Sequence, residues 1–315
     1  MRFFMKPSGL AILTLLCMLA GTVPLARGDF LFVISSGGVI EELDSSGTVI
    51  KSDIATVSGA ESLAFNANGN LFVGSSSGNI YEVSPSSGKV TTFISGSFGS
   101  PVLAFNANGD LFVGASNNTG TIEELSSQGS VINSSFATGL GAITALAFNA
   151  AGDLFVTNGS SVPPPIYEVT PSGSVSTFAT APSGLGAGLA FNASGDLFYA
   201  TYEGYIYSVK PNSTTYLANI PANTAPGDAL AVNSSGDLFV SSGNVDSGGT
   251  VTQFVYKVTP SGSVKQFANV PGAAGLAFQP AIAFVPAPSS LTLLSLGLCG
   301  LAGYTWRGRR YLSFP

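Results

Sequence analysis

An all-β fold of six four-stranded blades closed into a ring, a β-propeller, is predicted by three features of this 315-residue chain. First, the eleven-residue unit LAFNANGDLFV at 103–113 is written repeatedly: LAFNANGNLFV at 63–73, LAFNAAGDLFV at 146–156, LAFNASGDLFY at 189–199 and LAVNSSGDLFV at 230–240. A steady period of this length is the mark of a repeat architecture. Second, each unit is followed by two more short β-type segments, which makes four strands per repeat. Third, the chain starts one strand late and ends one strand over. Leu276-Ala277-Phe278 is a sixth first strand with no partner after it. Leu31-Phe32-Val33, Val39–Leu43 and Val49–Ile54 match second, third and fourth strands with no first strand before them. One C-terminal and three N-terminal strands therefore complete the sixth blade, which removes the open edges.

The elements follow in chain order. Residues 1–28 are a secretory signal peptide: Arg2 and Lys6 precede the apolar run Leu10–Leu19, and Ala26-Arg27-Gly28 offers a cleavage site. Cys17 is preceded by Leu16, where a lipid-attachment box needs Gly, Ala or Ser. The propeller occupies 29–284. Within each unit, Asn106-Ala107-Asn108-Gly109 and its counterparts form a type I turn with a glycine bulge between the first and second strands. These Asn-x-x-Gly-Asp turns lack the acidic spacing of a calcium loop and are structural. Third strands fall at Ile80–Val83, Ile122–Leu125, Ile166–Val169, Ile206–Val209 and Val255–Val258. Fourth strands fall at Val90–Phe93, Val131–Phe136, Val175–Phe178, Thr215–Ile220 and Val264–Val270. Neighbouring blades cover both faces of each sheet, so consecutive apolar residues are expected and Phe105 should be buried. The alanine at the centre of each first strand is expected nearest the crowded axis.

The charge pattern narrows the partners. Between 29 and 284 the chain has 17 acidic residues, five lysines, no arginine and no histidine, a balance of 5 − 17 = −12. Such a domain repels nucleic acid and anionic polymers unless a divalent cation bridges them. Both cysteines, Cys17 and Cys299, lie in the terminal apolar segments, which excludes a disulfide framework or thiolate site in the propeller.

The C-terminus has its own organisation over 285–315. Val285, Pro286 and Pro288 lead into an apolar segment, 291–306, and then Arg307, Arg309 and Arg310. With its flank the segment reaches membrane-spanning length, and the arginines stay cytoplasmic. This stretch resembles the PEP-CTERM sorting signal of exported bacterial proteins. The resemblance implies processing by an exosortase and delivery to the cell surface or extracellular matrix, often beside exopolysaccharide production. Ala287 departs from it, standing where the family usually has Glu. A plain C-terminal anchor is the other reading of the same residues.

Function in a repeat protein concentrates where the repeat is broken. The turns Asn-x-x-Gly-Asp and Pro-Ser-Gly make one face constant. The opposite face carries the variable loops 74–79, 114–120, 157–165, 200–205 and 241–253, and the mouth of the central channel there is the expected binding site. The position four residues before each first-strand aromatic, or before Val232, points there: Glu61, Pro101, Thr144, Ala187, Asp228 and Ala274. The blade pattern over 29–284 resembles NHL-type and gluconolactonase-like six-bladed propellers. That resemblance implies a metal held by a Glu, an Asn and an Asp, which fall on Glu61, Ala187 and Asp228. Thr144 stands where a second Asn often binds substrate. Two carboxylates, Glu61 and Asp228, remain as candidate ligands for Ca²⁺. Otherwise they are solvated or lysine-paired acids. Lyase-like relatives use histidine for proton transfer, and this chain has none. Tyr202 and Tyr205 lie in the 200–205 loop and are candidates for stacking on sugar rings, with loop packing as the alternative. Tyr199 and Tyr207 match packed positions. The sequence thus points to a non-catalytic surface propeller that binds glycan, protein or Ca²⁺. The alternative is a degenerate metal-dependent lactonase or esterase using Glu61 and Asp228.

Overall fold

The computed structural model describes residues 29–280 apart from 97, 116–119, 183, 222–223, 226–228 and 246–250. The expected signal peptide and sorting tail lie outside the described residues, as does Asp228. Among the described residues no helix is long and apolar enough to cross a membrane.

The chain enters through Leu31–Ser35 (β1), Val39–Leu43 (β2) and Val49–Thr56 (β3). Blade 1 comprises Ala60–Phe65 (β4), Leu71–Ser75 (β5), Ile80–Val83 (β6) and Val90–Ile94 (β7). Blade 2 comprises Pro101–Phe105 (β8), Leu111–Ala115 (β9), Ile122–Leu125 (β10) and Val131–Ala137 (β11). Ile143–Phe148 (β12), Leu154–Asn158 (β13), Pro165–Val169 (β14) and Val175–Thr180 (β15) make blade 3. Gly186–Phe191 (β16), Leu197–Thr201 (β17), Tyr205–Lys210 (β18) and Ser213–Asn219 (β19) make blade 4. After the two-residue strand Thr224–Ala225 (β20), blade 5 follows as Leu230–Val232 (β21), Leu238–Val245 (β22), Val251–Val258 (β23) and Val264–Asn269 (β24). Leu276–Phe278 (β25) is last. It pairs with β1, and the sixth sheet runs β25-β1-β2-β3, as the strand inventory demands.

Each first-to-second hairpin is closed by the expected turn. In blade 2 the Asn106 side-chain Oδ1 accepts from the Asn108 and Asp110 amides at 3.0 and 2.8 Å, and Gly109 has φ 87°, open only to a residue without a Cβ penalty. Asn66, Asn149, Asn192 and Asn233 repeat the arrangement. The loop expected at 241–253 is instead largely hairpin: β22 and β23 stay paired from Leu238↔Val258 out to Val245↔Val251, and β20 pairs with β22 beside them. Pairing the backbone groups of this polar stretch satisfies donors and acceptors that a long loop leaves to water.

Blades are joined by a repeated aromatic clasp. The second-strand phenylalanine is buried and meets, edge to face, the fourth-strand phenylalanine of its own blade and the first-strand phenylalanine of the next. Phe112 lies 4.8 Å from Phe136 and 5.0 Å from Phe148. Phe72, Phe155 and Phe239 repeat both contacts, and Phe32 meets Phe65. Such pairs add about 0.5–1.5 kcal/mol each beyond area burial. The clasp fails between blades 4 and 5, where Phe198 packs with Leu217 and Val232. Phe105 itself is half-buried rather than buried, because the first-strand ring lies over the side of the clasp while Phe72 sits between two rings.

The constant face shows a smaller repeat-to-repeat difference with a measurable consequence. In blade 1, Asn70 Nδ2 donates to Glu82 Oε1 at 2.6 Å. The equivalent pair in blade 2 is Asp110 and Glu124. Burial, and then the neighbouring Asp110 charge, push the Glu124 carboxyl above its usual range. An acid whose folded-state pKa is raised penalises the fold at neutral pH, and the penalty is relieved as pH falls through the raised value. Asp110→Asn, which recreates the blade 1 pair, is therefore expected to stabilise the protein at pH 7 by less than about 1 kcal/mol, since the site is partly solvated. The gain should shrink on acidification toward pH ~4. Urea unfolding across that range checks it, and an equal gain at both ends would mean that charge is not the cause.

Candidate functional site

The six first strands surround a central cavity of about 270 Å³. Its floor is a ring of six leucines, one per blade: Leu63, Leu103, Leu146, Leu189, Leu230 and Leu276. Each is buried against its neighbours, so the floor is apolar. Leucine, rather than the alanine that follows it, faces the axis. Ala104, for example, belongs to the apolar cluster it shares with Ile143 and Leu146 of the next blade.

Five of the six positions picked from the sequence line this cavity: Glu61, Pro101, Thr144, Ala187 and Ala274. The sixth, Asp228, lies outside the described residues. Three of these positions share a backbone irregularity. In blades 1, 3 and 4 the pairing skips one residue at the start of the first strand, from Ala60↔Ser75 to Ser62↔Gly74, from Ile143↔Asn158 to Ala145↔Thr157, and from Gly186↔Thr201 to Gly188↔Ala200. The residues skipped are Glu61, Thr144 and Ala187. The bulge shows only in the residue count between strands, and the repeat alignment alone does not reveal it. It is not what brings these positions to the channel, since Pro101 lines the same cavity with regular pairing, Pro101↔Ala115 and Val102↔Gly114.

The chemistry at this mouth is sparse. Among the described residues Glu61 is the single carboxylate lining the cavity, and it is exposed. Thr144 Oγ1 donates to the Thr157 carbonyl at 3.3 Å, and Ser62 Oγ donates to the Pro101 carbonyl at 2.5 Å, so both hydroxyls are engaged in holding strands. Ca²⁺ takes six to eight oxygen ligands. Glu61 and Thr144 do not make such a shell by themselves, and among the described residues no three acidic, histidine or cysteine side chains come together as a metal centre.

The two loop tyrosines have different fates. Tyr202 is half-buried and lines the cavity. Tyr205 is not part of that lining. It is exposed and stands 6.4 Å from Tyr207 and 6.5 Å from Tyr216, in a tyrosine cluster spread over the outer strands of blade 4. The first residue of β18 projects away from the loop that carries Tyr202. Tyr199 and Tyr207 are buried as expected, and Tyr199 donates to the Gly184 carbonyl at 3.4 Å. Burial, followed by the nearby Glu203 charge, drives the Tyr199 phenol far above its ordinary range, so it stays protonated. Tyr216, exposed opposite Tyr207, has no counterpart in the equivalent strands, where Thr92, Thr177 and Gln266 stand. That substitution was visible in the sequence but became meaningful only with the register.

No protein-family model matches the sequence, and no curated protein matches it. Solved structures do share the architecture. A gluconolactonase from Xanthomonas campestris is 16% identical with a TM-score of 0.57, covering 69% of this chain and 78% of that one. The calcium-binding protein regucalcin from Agrobacterium tumefaciens is 13% identical with a TM-score of 0.57, covering 70% and 78%. Virginiamycin B lyase from Staphylococcus aureus is 14% identical with a TM-score of 0.52, covering 78% and 85%. At these identities the likeness is one of fold: the chain is a six-bladed β-propeller of the general build shared by gluconolactonase and its structural neighbours.

Proposed function

We propose that this chain is an exported, non-catalytic binding propeller that receives a glycan at the channel mouth. The observation that carries the reading is the cavity lining: an apolar leucine floor and, among the described residues, one carboxylate. Tyr202 lines the cavity beside the leucine ring and offers an aromatic face on which a sugar can stack. The −12 balance of residues 29–284 turns away nucleic acid. Export through a signal peptide at 1–28, and retention or release at the surface through the tail at 285–315 with signal peptidase and an exosortase as processing partners, complete the proposal. A panel of neutral oligosaccharides tests it. Binding should weaken at least fivefold in Tyr202→Ala and leave the sugars chemically unchanged, whereas metal-dependent turnover of a lactone or ester panel would sink it.

The second reading, a degenerate metal-dependent hydrolase, is favoured by one feature: Glu61 lines the channel cavity, at the position the gluconolactonase-like resemblance gives to a metal ligand. Calorimetry with Ca²⁺ on the purified protein and on Glu61→Gln decides it. A heat of binding that disappears in the variant supports a cation at the mouth, and no heat in either protein ends the idea.

A further inference from the structure

We propose a second binding site, distant in character from the channel: the groove between blades 5 and 6 takes an acidic saccharide, a sugar ring bearing one anionic group. The groove, about 460 Å³, is formed by the fourth strand of blade 5 and the turn at 44–48 of blade 6. The turn is pressed close, since a Cβ on Gly47 would overlap the Phe267 carbonyl. The volume lies in the range of small-ligand sites.

Its charge is what the rest of the domain lacks. Two of the five lysines in 29–284, Lys257 and Lys265, line it, and they are direct cross-strand partners. Like charges placed opposite one another destabilise a sheet. The equivalent pairs in the other blades are Glu with Lys, Thr, Asn or Ser, and Ser with Thr. Blade 5 alone sets two cations side by side. Lys257 is answered: its ammonium lies 2.6 Å from an Asp237 oxygen and 5.8 Å from the Phe239 ring centre. Lys265 is exposed and makes no ion pair among the described residues. The acids nearby are already engaged: Asp237 by Lys257, and Asp44, at the start of the facing turn, by the Ser46 hydroxyl and the Ser46 and Thr48 amides. Lys265 is thus left facing the groove without an acid partner, in a domain whose overall field repels anions.

The remaining lining gives the ligand its class. The hydroxyls of Ser45 and Ser263 and the Gln266 amide supply donors and acceptors, and the half-buried Phe267 supplies an apolar contact. A hydroxylated ring with one carboxylate or sulfate uses all three features, whereas a polyanion meets repulsion from the surrounding acids. Binding depends on Lys265 and weakens with salt, because the charge is solvent-facing.

The test titrates full-length Tyr202→Ala protein, in which the proposed channel site is weakened, with a glucuronate-containing oligosaccharide, its neutral glucose counterpart and inorganic sulfate. The acidic sugar should bind at least fivefold more tightly than either control. Lys265→Gln should lose at least fivefold, Lys265→Arg should retain binding, and unfolding midpoints should be unchanged in both. A further channel substitution, Glu61→Gln, should leave this affinity intact, which separates failure here from failure of the channel proposal. Unaltered binding in Lys265→Gln overturns the site, and neutral sugar or bare sulfate binding equally well overturns the ligand class.

Discussion

Phe112→Ala is expected to lower the unfolding free energy by about 3–5 kcal/mol, through lost transfer energy and the cavity left behind. The ring is almost fully buried and is held by Phe136 of its own blade and Phe148 of the next, both edge-on within 5.0 Å. Its removal empties the centre of the clasp, and neither partner can collapse into the space without opening the blade interface. Phe105→Ala should cost toward the low end of the same range, because that ring is half-buried and meets Phe72 from one side at 4.8 Å. Urea denaturation of the two variants checks the order. Equal losses, or a loss under about 1 kcal/mol at Phe112, would show that the clasp does not hold the blades.

Ala277→Pro should be comparably damaging, at about 3 kcal/mol or more, with broadening or loss of the cooperative transition. Ala277 is the middle residue of β25 and stands opposite Phe32, at the centre of a closure of three strand pairs, Leu31↔Phe278, Phe32↔Ala277 and Val33↔Leu276, continued by backbone hydrogen bonds between Ile34 and Gly275 and between Gln279 and Phe30. Proline removes a backbone donor and places its ring against the facing strand. Failure of these three pairs exposes the edge of β1, and a free edge in an all-β protein templates association. Size-exclusion chromatography alongside denaturation should therefore show new oligomers. A variant that stays monomeric with an unchanged midpoint would mean that β25 contributes no closure.

How far the site was legible depends on the kind of information each residue needed. Glu61, Thr144 and Ala187 were found by counting back from the aromatic of each repeat, and all three line the cavity. The count works because a repeat places equivalent residues at equivalent heights. The bulge they share was hidden, since it is a relation between two strands and leaves no residue signature in one. Tyr202 and Tyr205 shared a loop and hence an expected site, yet β18 begins at Tyr205, which is absent from the cavity lining that Tyr202 joins. The 241–253 stretch, polar and glycine-containing, resembled a loop because hairpin extension there rests on backbone pairing rather than on apolar alternation.

By itself the sequence determined the blade count, the turn chemistry and the split sixth blade, because each follows from a local pattern repeated at a fixed spacing. Tertiary structure alone decided which side chains face the axis, where the aromatic clasp is broken, and that Lys257 and Lys265 stand opposite each other beside a turn more than two hundred residues away in the chain. Those are properties of register and of contact between blades. They depend on which strand lies next to which, and a chain read in one dimension does not contain that distance.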